Sequence, residues 1–291
     1  MTSRAVKSPL RALSQLPRRR PSLGLSVGYI LLVIWAGVSL LPLYWMFVTA
    51  CKPATIVMSL PPKLVPDPFT LSNFKKLAEH KIVWRWFFNS CFVSVTVTGS
   101  NVFFCSLAGY TFAKLKFPGQ RALFWMILSL MMVPGQVLLV PSFILLNKLR
   151  WINTYWALTV PDMVSPFGIF LMKQFMQTLP SELMDAGRID GCREYDVFSR
   201  IMLPISVPGM AVLAIFTFMG QWNRFLWPLI MTSSEDMRVL QVGLATLQFQ
   251  NYQNYGLLMA GGAAAALPMI AVFLSFQRYF LRGITIGALK G

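Results

Sequence analysis

Four long runs of the sequence contain no lysine, arginine, aspartate or glutamate, and these runs constrain the fold more than any other feature. They cover residues 21–51, 86–113, 122–147 and 239–277. Each is longer than the roughly 20 residues that an α-helix needs to cross a bilayer. Inside lipid every backbone polar group has to be bonded within the protein, which favours helices. The sequence therefore predicts an all-α membrane protein that crosses the membrane several times.

The apolar segments predict about six transmembrane helices. The predicted spans are Leu25–Val48, Phe87–Phe112, Ala122–Leu146, Thr154–Phe175, Ile205–Ile230 and Gly256–Phe276. The fourth is the weakest, because Pro161, Asp162 and Pro166 interrupt it and proline breaks helices. The first apolar run is too long for a cleaved signal peptide, so we expect a retained span behind a basic cytoplasmic segment, residues 1–22.

The net charge of +16 is explained by basic segments that flank the spans. Lysine and arginine are concentrated before the first span, between the second and third, after the fourth and at the end of the chain. This distribution favours a cytoplasmic location for both termini. Nucleic-acid binding is disfavoured, since no basic face interleaves with aromatic residues outside the spans. The four cysteines form no Cys-x-x-Cys pair, so neither a metal site nor a disulfide framework is expected.

One short segment is unusually acidic for so apolar a chain. Half of the ten acidic residues lie within fifteen positions, and they are Glu182, Asp185, Asp190, Glu194 and Asp196. The predicted topology places this segment in the cytoplasm, between spans four and five. Acidic residues contribute little to membrane orientation, so the cluster needs another explanation.

The same segment predicts two short helices joined by a turn. Ser181 is a candidate N-cap for the first helix, and the helix dipole favours Glu182 in its first turn. Asp190-Gly191 is a turn signal, and Pro204 ends the second helix. The second helix carries an apolar stripe formed by Tyr195, Phe198, Ile201 and Met202. Periodicity alone leaves two interpretations open, an ordinary interfacial loop or a docking element for another protein.

The hairpin pattern resembles the Glu-Ala-Ala signature of permease subunits in bacterial ABC importers. In that family the signature is followed by a glycine turn and an apolar helix that ends in Leu-Pro. Here Asp185-Ala186-Gly187 stands at the Glu-Ala-Ala positions, and Asp190-Gly191 matches the Asp-Gly. Aspartate replaces glutamate and glycine replaces the second alanine. These departures keep the charge and the small size.

Further segments resemble the carbohydrate-type, or maltose-type, branch of the same family, in the same order along the chain. They are FFNSCFVSV (87–95), AGYTFAKLKFPGQRALF (108–124), MMVPGQVLLVPSF (131–143), PFGIFLMKQF (166–175), WNRFLWPLI (222–230) and the ending 267–291. The resemblance implies a permease domain over 23–291 with a coupling loop at about 176–204. It implies half of a translocation pathway, in a bacterial inner membrane, for a sugar or sugar-related solute.

The resemblance also implies partners and coupling residues. The partners would be a second homologous permease subunit, two copies of a nucleotide-binding ATPase, and an extracytoplasmic solute-binding protein or lipoprotein, besides membrane lipid. The implied ATPase-coupling residues are Glu182, Asp185, Ala186, Gly187, Asp190, Gly191, Phe198 and Pro204. The chain has no Gly-x-x-x-x-Gly-Lys-Ser/Thr loop, so ATP and magnesium are expected on the separate ATPase and no cofactor is expected on this chain. The chain itself is not expected to be an enzyme.

Polar and aromatic residues near the spans are candidates for the translocation pathway. Asp162 would contact hydroxyl groups of a solute, or lie at the outer interface, or pair with a basic neighbour. Arg224 would bind an anionic group of a solute, or pair with Asp162 or with the partner permease. Trp222 would stack on a sugar face or anchor a span at the interface. Asn223, between Trp222 and Arg224 in the sequence, is the fourth candidate.

Two other classes of protein remain as alternatives to an importer subunit. A secondary transporter is often built from inverted repeats with broken helices at the midplane, and no repeat is visible here. If the chain were such a transporter, Asp162 would be the one plausible proton carrier within the spans. An integral-membrane enzyme would need clustered histidine, aspartate or cysteine on one face, and the sequence has a single histidine, His80.

Overall fold

A computed structural model describes residues 23–53, 63–250 and 254–288. The predicted basic segment 1–22 lies outside these ranges. The chain divides into two compact units, residues 1–46 and 47–291. The described ranges contain helices and turns and no β-strand, so the all-α class is confirmed.

The described residues form α-helices joined by short turns. The helices are α1 (Leu23–Ala50), α2 (Ser72–Glu79), α3 (Lys81–Lys114), α4 (Gln120–Leu130), α5 (Leu139–Lys148), α6 (Tyr155–Thr159), α7 (Pro166–Gln177), α8 (Glu182–Ile189), α9 (Glu194–Asp196), α10 (Leu203–Ile205), α11 (Val207–Trp222), α12 (Leu226–Met231), α13 (Leu240–Gln250) and α14 (Tyr255–Ala288). Tighter 3₁₀ turns occur at Gly135–Leu138, Val160–Asp162 and Glu235–Met237. A wider π-helical turn occurs at Val197–Met202.

Three helices in the described ranges are long and apolar enough to cross a membrane. They lie at Gly24–Ala50, Lys81–Lys114 and Tyr255–Phe276. Two bent helix pairs raise the number to five if each pair is one span. The exact number of six spans stays a prediction.

Two predicted spans are wrong as single straight helices. The third, Ala122–Leu146, ends as α4 at Leu130 and resumes beyond Pro134, with an 89° bend between its two halves. Pro134 lacks a backbone donor and restricts the residue before it, so the helix breaks there. The fifth, Ile205–Ile230, is cut at both ends, by a 75° bend before α11 and by a break after Trp222.

The fourth predicted span is interrupted, as its sequence indicates. It consists of α6, the 3₁₀ turn Val160–Asp162 and α7. Ser165 caps α7, because its hydroxyl accepts the Gly168 backbone N–H at 3.0 Å. Broken backbone of this kind is tolerated in a membrane where it is buried in protein or lines a cavity.

Helix α3 lies at the centre of the unit 47–291. It supplies buried side chains to all three apolar clusters of the described core. Trp86 packs with α13 and α14, Val97 packs near α6 and α12, and Tyr110 packs with α7 and the segment after it. The broken elements are therefore assembled around one continuous helix of 34 residues.

Polar side chains at the first turns of α3 also hold irregular backbone. The Asn89 amide donates to the carbonyl oxygens of Asp236 and Arg238, at 2.7 and 2.8 Å. The Trp86 indole donates to the Glu235 carbonyl at 2.8 Å. These bonds fix the segment between α12 and α13 against α3, since buried backbone groups need partners.

The contact between α3 and α7 depends on the absence of a side chain at Gly109. A β-carbon there would lie 2.6 Å from the Met172 β-carbon and 2.9 Å from the Lys173 backbone nitrogen. We expect Gly109→Ala to destabilise the protein by about 1–3 kcal/mol, because the clash is partly with backbone. The measurement is the melting midpoint of the detergent-solubilised protein by size-exclusion chromatography.

Gly99→Ala is the matched control for Gly109→Ala, in the same helix. A β-carbon at Gly99 meets no atom within 4 Å. Alanine there should leave stability unchanged or raise it by up to about 1 kcal/mol, because glycine is a poor helix former. Equal melting midpoints for the two variants would show that the α3–α7 contact does not require Gly109.

Candidate functional site

The acidic segment forms a compact hairpin, which we call the 182–205 hairpin. Helix α8 is followed by a turn at Gly191, whose φ is +82°, and then by α9, the π-helical turn and α10. Left-handed backbone of this kind is strained for residues with a β-carbon. A β-carbon at Gly191 would otherwise meet open space. Backbone conformation and not crowding therefore accounts for glycine at this position.

The two halves of the hairpin touch through small and apolar residues. A β-carbon at Gly187 would lie 2.5 Å from the Ile201 δ-carbon. The absence of a side chain at Gly187 therefore allows α8 to pack closely against the second half of the hairpin. Met184, Phe198 and Met202 are buried on the same side. The Phe198 ring lies 5.3 Å from the Tyr110 ring, centroid to centroid. The inner side of the hairpin is thus part of the protein core.

The predicted apolar stripe of the second hairpin helix is wrong at one position. Tyr195 is 74% exposed, whereas Phe198 is 3% exposed. A regular α-helix would place residues three apart on neighbouring parts of one face. The π-helical turn Val197–Met202 alters that periodicity, because its hydrogen bonds span five residues instead of four.

A network of charged and polar groups ties the hairpin to α3. Arg188 bonds to Asp185 and to Glu194, each at 3.1 Å. The Tyr110 hydroxyl of α3 donates to Glu194 on the same carboxylate. The pKa of the Arg188 guanidinium is raised, first by its hydrogen bond to the Glu194 carboxylate. Neither Tyr110 nor Arg188 is a candidate from the sequence alone. Tyr110 is 84 positions away from its partner Glu194, and no local pattern links the two.

The start of the hairpin is also held by α3. The Lys114 amine donates to the Leu179 carbonyl at 2.6 Å and to the Ser181 hydroxyl at 3.2 Å. The predicted capping role of Ser181 is wrong, since its backbone is already helical and its side chain caps no N–H. The hydroxyl accepts from Lys114 instead.

The outer side of the hairpin exposes apolar and acidic residues together. Ile189 is 86% exposed, Tyr195 is 74% exposed and Leu183 is 43% exposed. The other implied coupling residues on this side are Glu182, Asp185, Ala186, Asp190 and Pro204, and all are exposed. Single exposed apolar residues are common, but a rigid hairpin that presents several beside carboxylates has the composition of a protein contact.

The four candidate pathway residues separate into two groups. Asp162 and Arg224 form an ion pair, one of the alternatives open at the sequence level. The Arg224 guanidinium also lies 5.0 Å from the centre of the Trp227 ring. The Asp162 carbonyl accepts from the Asn101 amide of α3 at 3.1 Å.

Trp222 and Asn223 do not join the ion pair. Trp222 is 1% exposed, its indole donates to the Ala265 carbonyl at 3.0 Å, and its ring contacts Phe87 and Phe218. Neither face of the ring is open to a solute, so the sequence-based expectation for Trp222 is replaced by a packing role. The Asn223 side chain donates to the Met219 carbonyl at 3.0 Å, at the end of α11.

Two cavities adjoin the ion pair. The larger cavity, about 440 Å³, is lined by Gly135, Gln136, Leu138, Leu139, Ser142, Pro161, Asp162, Arg224, Leu226 and Trp227. The smaller cavity, about 220 Å³, is lined by Asn101, Asp162, Ser165, Phe167, Phe216, Thr217, Gly220 and Gln221. The exposed surface of both linings is mostly apolar, and amides, hydroxyls and the two charged groups are interspersed in it. In the part of the chain that the structure describes, no group of three or more histidine, cysteine, aspartate or glutamate residues could hold a metal ion.

Comparison with known proteins identifies the family. The family described as binding-protein-dependent transport system inner membrane component matches residues 105–286. The arabinooligosaccharides transport system permease protein AraQ of Halalkalibacterium halodurans is 38% identical over 270 residues, which cover 92% of this chain and 96% of that protein. AraQ of Bacillus subtilis is 36% identical, with 87% and 91% covered. The sn-glycerol-3-phosphate transport system permease protein UgpE of Yersinia enterocolitica is 31% identical, with 88% and 94% covered.

Solved structures agree with the fold. A chain of a bacterial ABC transporter involved in the import of the acidic polysaccharide alginate superposes with a TM-score of 0.80 at 19% identity. The superposition covers 95% of this chain and all of the other. The chain belongs to the family of binding-protein-dependent transport system inner membrane components. It is a multi-pass permease subunit of an ABC transporter, and the family is one of transporter subunits and not of enzymes.

The charged network of the hairpin predicts the effect of losing Arg188. In Arg188→Gln the hairpin loses two ion pairs, and Glu194 keeps only the Tyr110 hydroxyl. We expect amide hydrogen exchange in residues 182–196 to accelerate by up to about fivefold. This factor corresponds to the loss of about 1 kcal/mol, the upper range for an exposed ion pair. Exchange in the first turns of α3 should not change. The measurement is deuterium uptake by mass spectrometry.

Arg193→Gln is the matched control, because Arg193 is an exposed hairpin arginine outside this network. If both variants accelerate exchange equally, the effect comes from net charge and the network does not hold the hairpin.

Proposed function

We propose that this chain forms half of the translocation pathway of an ATP-driven importer for a sugar or sugar-related solute. Support comes from the relatives, whose names assign them to arabinooligosaccharides, diacetylchitobiose and sn-glycerol-3-phosphate. The cavities beside Asp162 are suited to sugars, because a few placed amides and hydroxyls in a mostly apolar and aromatic lining are typical of ligand sites.

The observation that carries the proposal is the 182–205 hairpin, rigid on its inner side and apolar and acidic on its outer side. We propose that the outer side, centred on Ile189 and Tyr195, docks on a separate ATPase subunit. The carboxylates beside these residues can bond to basic groups of a partner with charge-assisted hydrogen bonds. ATP and magnesium would be bound by that partner, and this chain would bind no cofactor.

Movement of the docked hairpin would reach the membrane through its two attachments. The first attachment consists of the bonds from Tyr110 and Lys114, near the end of α3, to the hairpin and the residues just before it. The second is the direct continuation of the hairpin into α11. Closure of two ATPase copies would pull on both attachments. The pull would change the relative populations of states open to the two sides of the membrane.

The proposed assembly has a second homologous permease subunit and an extracytoplasmic binding protein or lipoprotein. One solved structure with the same fold, at a TM-score of 0.62 and 15% identity, is an alginate transporter in complex with a periplasmic protein that holds an alginate pentasaccharide. We propose the same kind of delivery here, with both termini of this chain in the cytoplasm.

The docking surface is tested at Ile189. In Ile189→Asp we expect the ATPase subunit to be lost from the purified complex, because a charge replaces an apolar contact. The melting midpoint of the isolated chain should change little, since the side chain is 86% exposed. Ile189→Met is the matched control and should retain the ATPase. Full retention of the ATPase by Ile189→Asp would contradict the docking surface.

The turn is tested at Gly191. We expect Gly191→Arg to insert in the membrane and to lose ATPase co-purification and uptake, because arginine strains the φ of +82° and adds bulk to the docking side. Gly191→Asn should retain a larger part of both, because asparagine tolerates left-handed backbone better than other residues. Survival of both co-purification and uptake in Gly191→Arg would contradict the docking assignment.

The remaining alternative, a secondary transporter, is tested by reconstitution. The purified chain in proteoliposomes should not accumulate the solute of its cognate binding protein unless the ATPase and ATP are added. Uptake by the chain alone, driven by an ion or proton gradient, would contradict the proposed function.

A further inference from the structure

The two cavities beside the ion pair share one charged side chain. Asp162 lines both cavities, and Arg224 lines the larger cavity. Among the described residues that line the two cavities, Asp162 and Arg224 are the charged ones. The electrostatic character of this region therefore depends on one ion pair.

The ion pair is held in place by groups from separate elements. The backbone of Asp162 is fixed by the Asn101 amide of α3, and the Arg224 guanidinium lies over the Trp227 ring of α12. The two charged side chains are about 70% removed from solvent, with 27% and 30% exposed. An arginine in such surroundings is costly without a counter-charge, and Asp162 provides it. The pair leaves the wall of the larger cavity with no net charge. In the smaller cavity Asp162 is the charged lining residue, and its charge is balanced by Arg224 from outside that lining.

We propose that the Asp162–Arg224 pair sets the charge selectivity of the pathway and makes it a path for uncharged glycans. This inference rests on the proposed function. Asp162 balances the charge of Arg224, so a carboxylate or phosphate on a solute gains little attraction there. An unpaired Arg224 at the same place would bind such an anion in a bidentate manner. Neutral sugars would instead use the amides and hydroxyls of Gln136, Ser142, Thr217 and Gln221.

The test measures the local potential directly and needs no knowledge of the solute. Single cysteines are introduced at Ser142 in the larger cavity and at Thr217 in the smaller one. Each is modified in the full-length chain, purified in detergent with the subunits that accompany it. The probes are an anionic methanethiosulfonate, the sulfonatoethyl reagent, and a cationic one, the trimethylammonium-ethyl reagent. Modification of the natural cysteines is measured on the chain without the introduced cysteine and subtracted.

The ratio of anionic to cationic modification rates should follow the charge of the pair. Asp162→Asn should raise the ratio about tenfold at both cysteines, because it leaves Arg224 unpaired in a poorly solvated place. Arg224→Gln should lower the ratio by a similar factor. The double variant Asp162→Asn with Arg224→Gln should return close to the ratio of the natural pair. A cysteine at Ser72, an exposed position on α2 that lines neither cavity, is the control and should not respond.

Unchanged ratios in both single variants would overturn the inference, and so would equal changes at the Ser72 control. If Asp162→Asn does not yield folded protein, Arg224→Gln tests the same proposal with the opposite sign. Failure of the proposed function would be seen separately, as purified chain without an associated ATP hydrolysis activity. The modification ratios would still be readable in that case, because they need no transport.

Discussion

Broken backbone in an apolar surrounding needs hydrogen-bond partners, and the structure depends on α3 for them. Side chains of α3 form hydrogen bonds to irregular segments at three positions along the helix. Asn89 holds the segment before α13, Asn101 holds the turn that carries Asp162, and Tyr110 and Lys114 hold the hairpin. Lipid offers no water to backbone groups, so irregular segments at membrane depth need partners from the protein itself. One continuous helix thereby permits the interruptions around it.

Those interruptions coincide with the two sites of interest. The break in the fourth predicted span places Asp162 beside Arg224, and the break after α11 places Arg224 beside Trp227. The 75° bend before α11 separates the second half of the hairpin from α11. If these spans were unbroken helices, Asp162, Arg224 and Trp227 would not be brought together in this way. The positions that a hydropathy profile treats as weak are therefore the positions that carry polar chemistry.

Sequence reasoning predicted the elements whose signal is local. The long apolar helices, the turn at Gly191 and the proline-interrupted fourth span follow from composition and from single residues. The 89° break before Gly135 was missed although Pro134 marks it, because apolar composition outweighed one proline. Tyr110 was missed because its partner Glu194 is 84 positions away in the sequence. Arg188 was missed although its partners are near in sequence, because the pairing with Glu194 depends on how the turn at Gly191 folds. Trp222 was misjudged because the sequence does not distinguish a tryptophan that faces lipid or solute from one that faces the protein core.

The unbroken length of α3 has a mechanical consequence. A helix of 34 residues is about 51 Å long, which is longer than the hydrocarbon core of a typical bilayer is thick. A tilt of about 5° around its middle displaces each end by about 2 Å in opposite directions, by simple leverage over that length. Because Tyr110 lies near one end, Asn89 near the other and Asn101 between them, the hairpin, the loop before α13 and the ion pair share one lever. A small rotation of this helix about its middle would move the hairpin and the loop before α13 in opposite directions. The turn that carries Asp162 would move least, because Asn101 holds it near the middle of the helix.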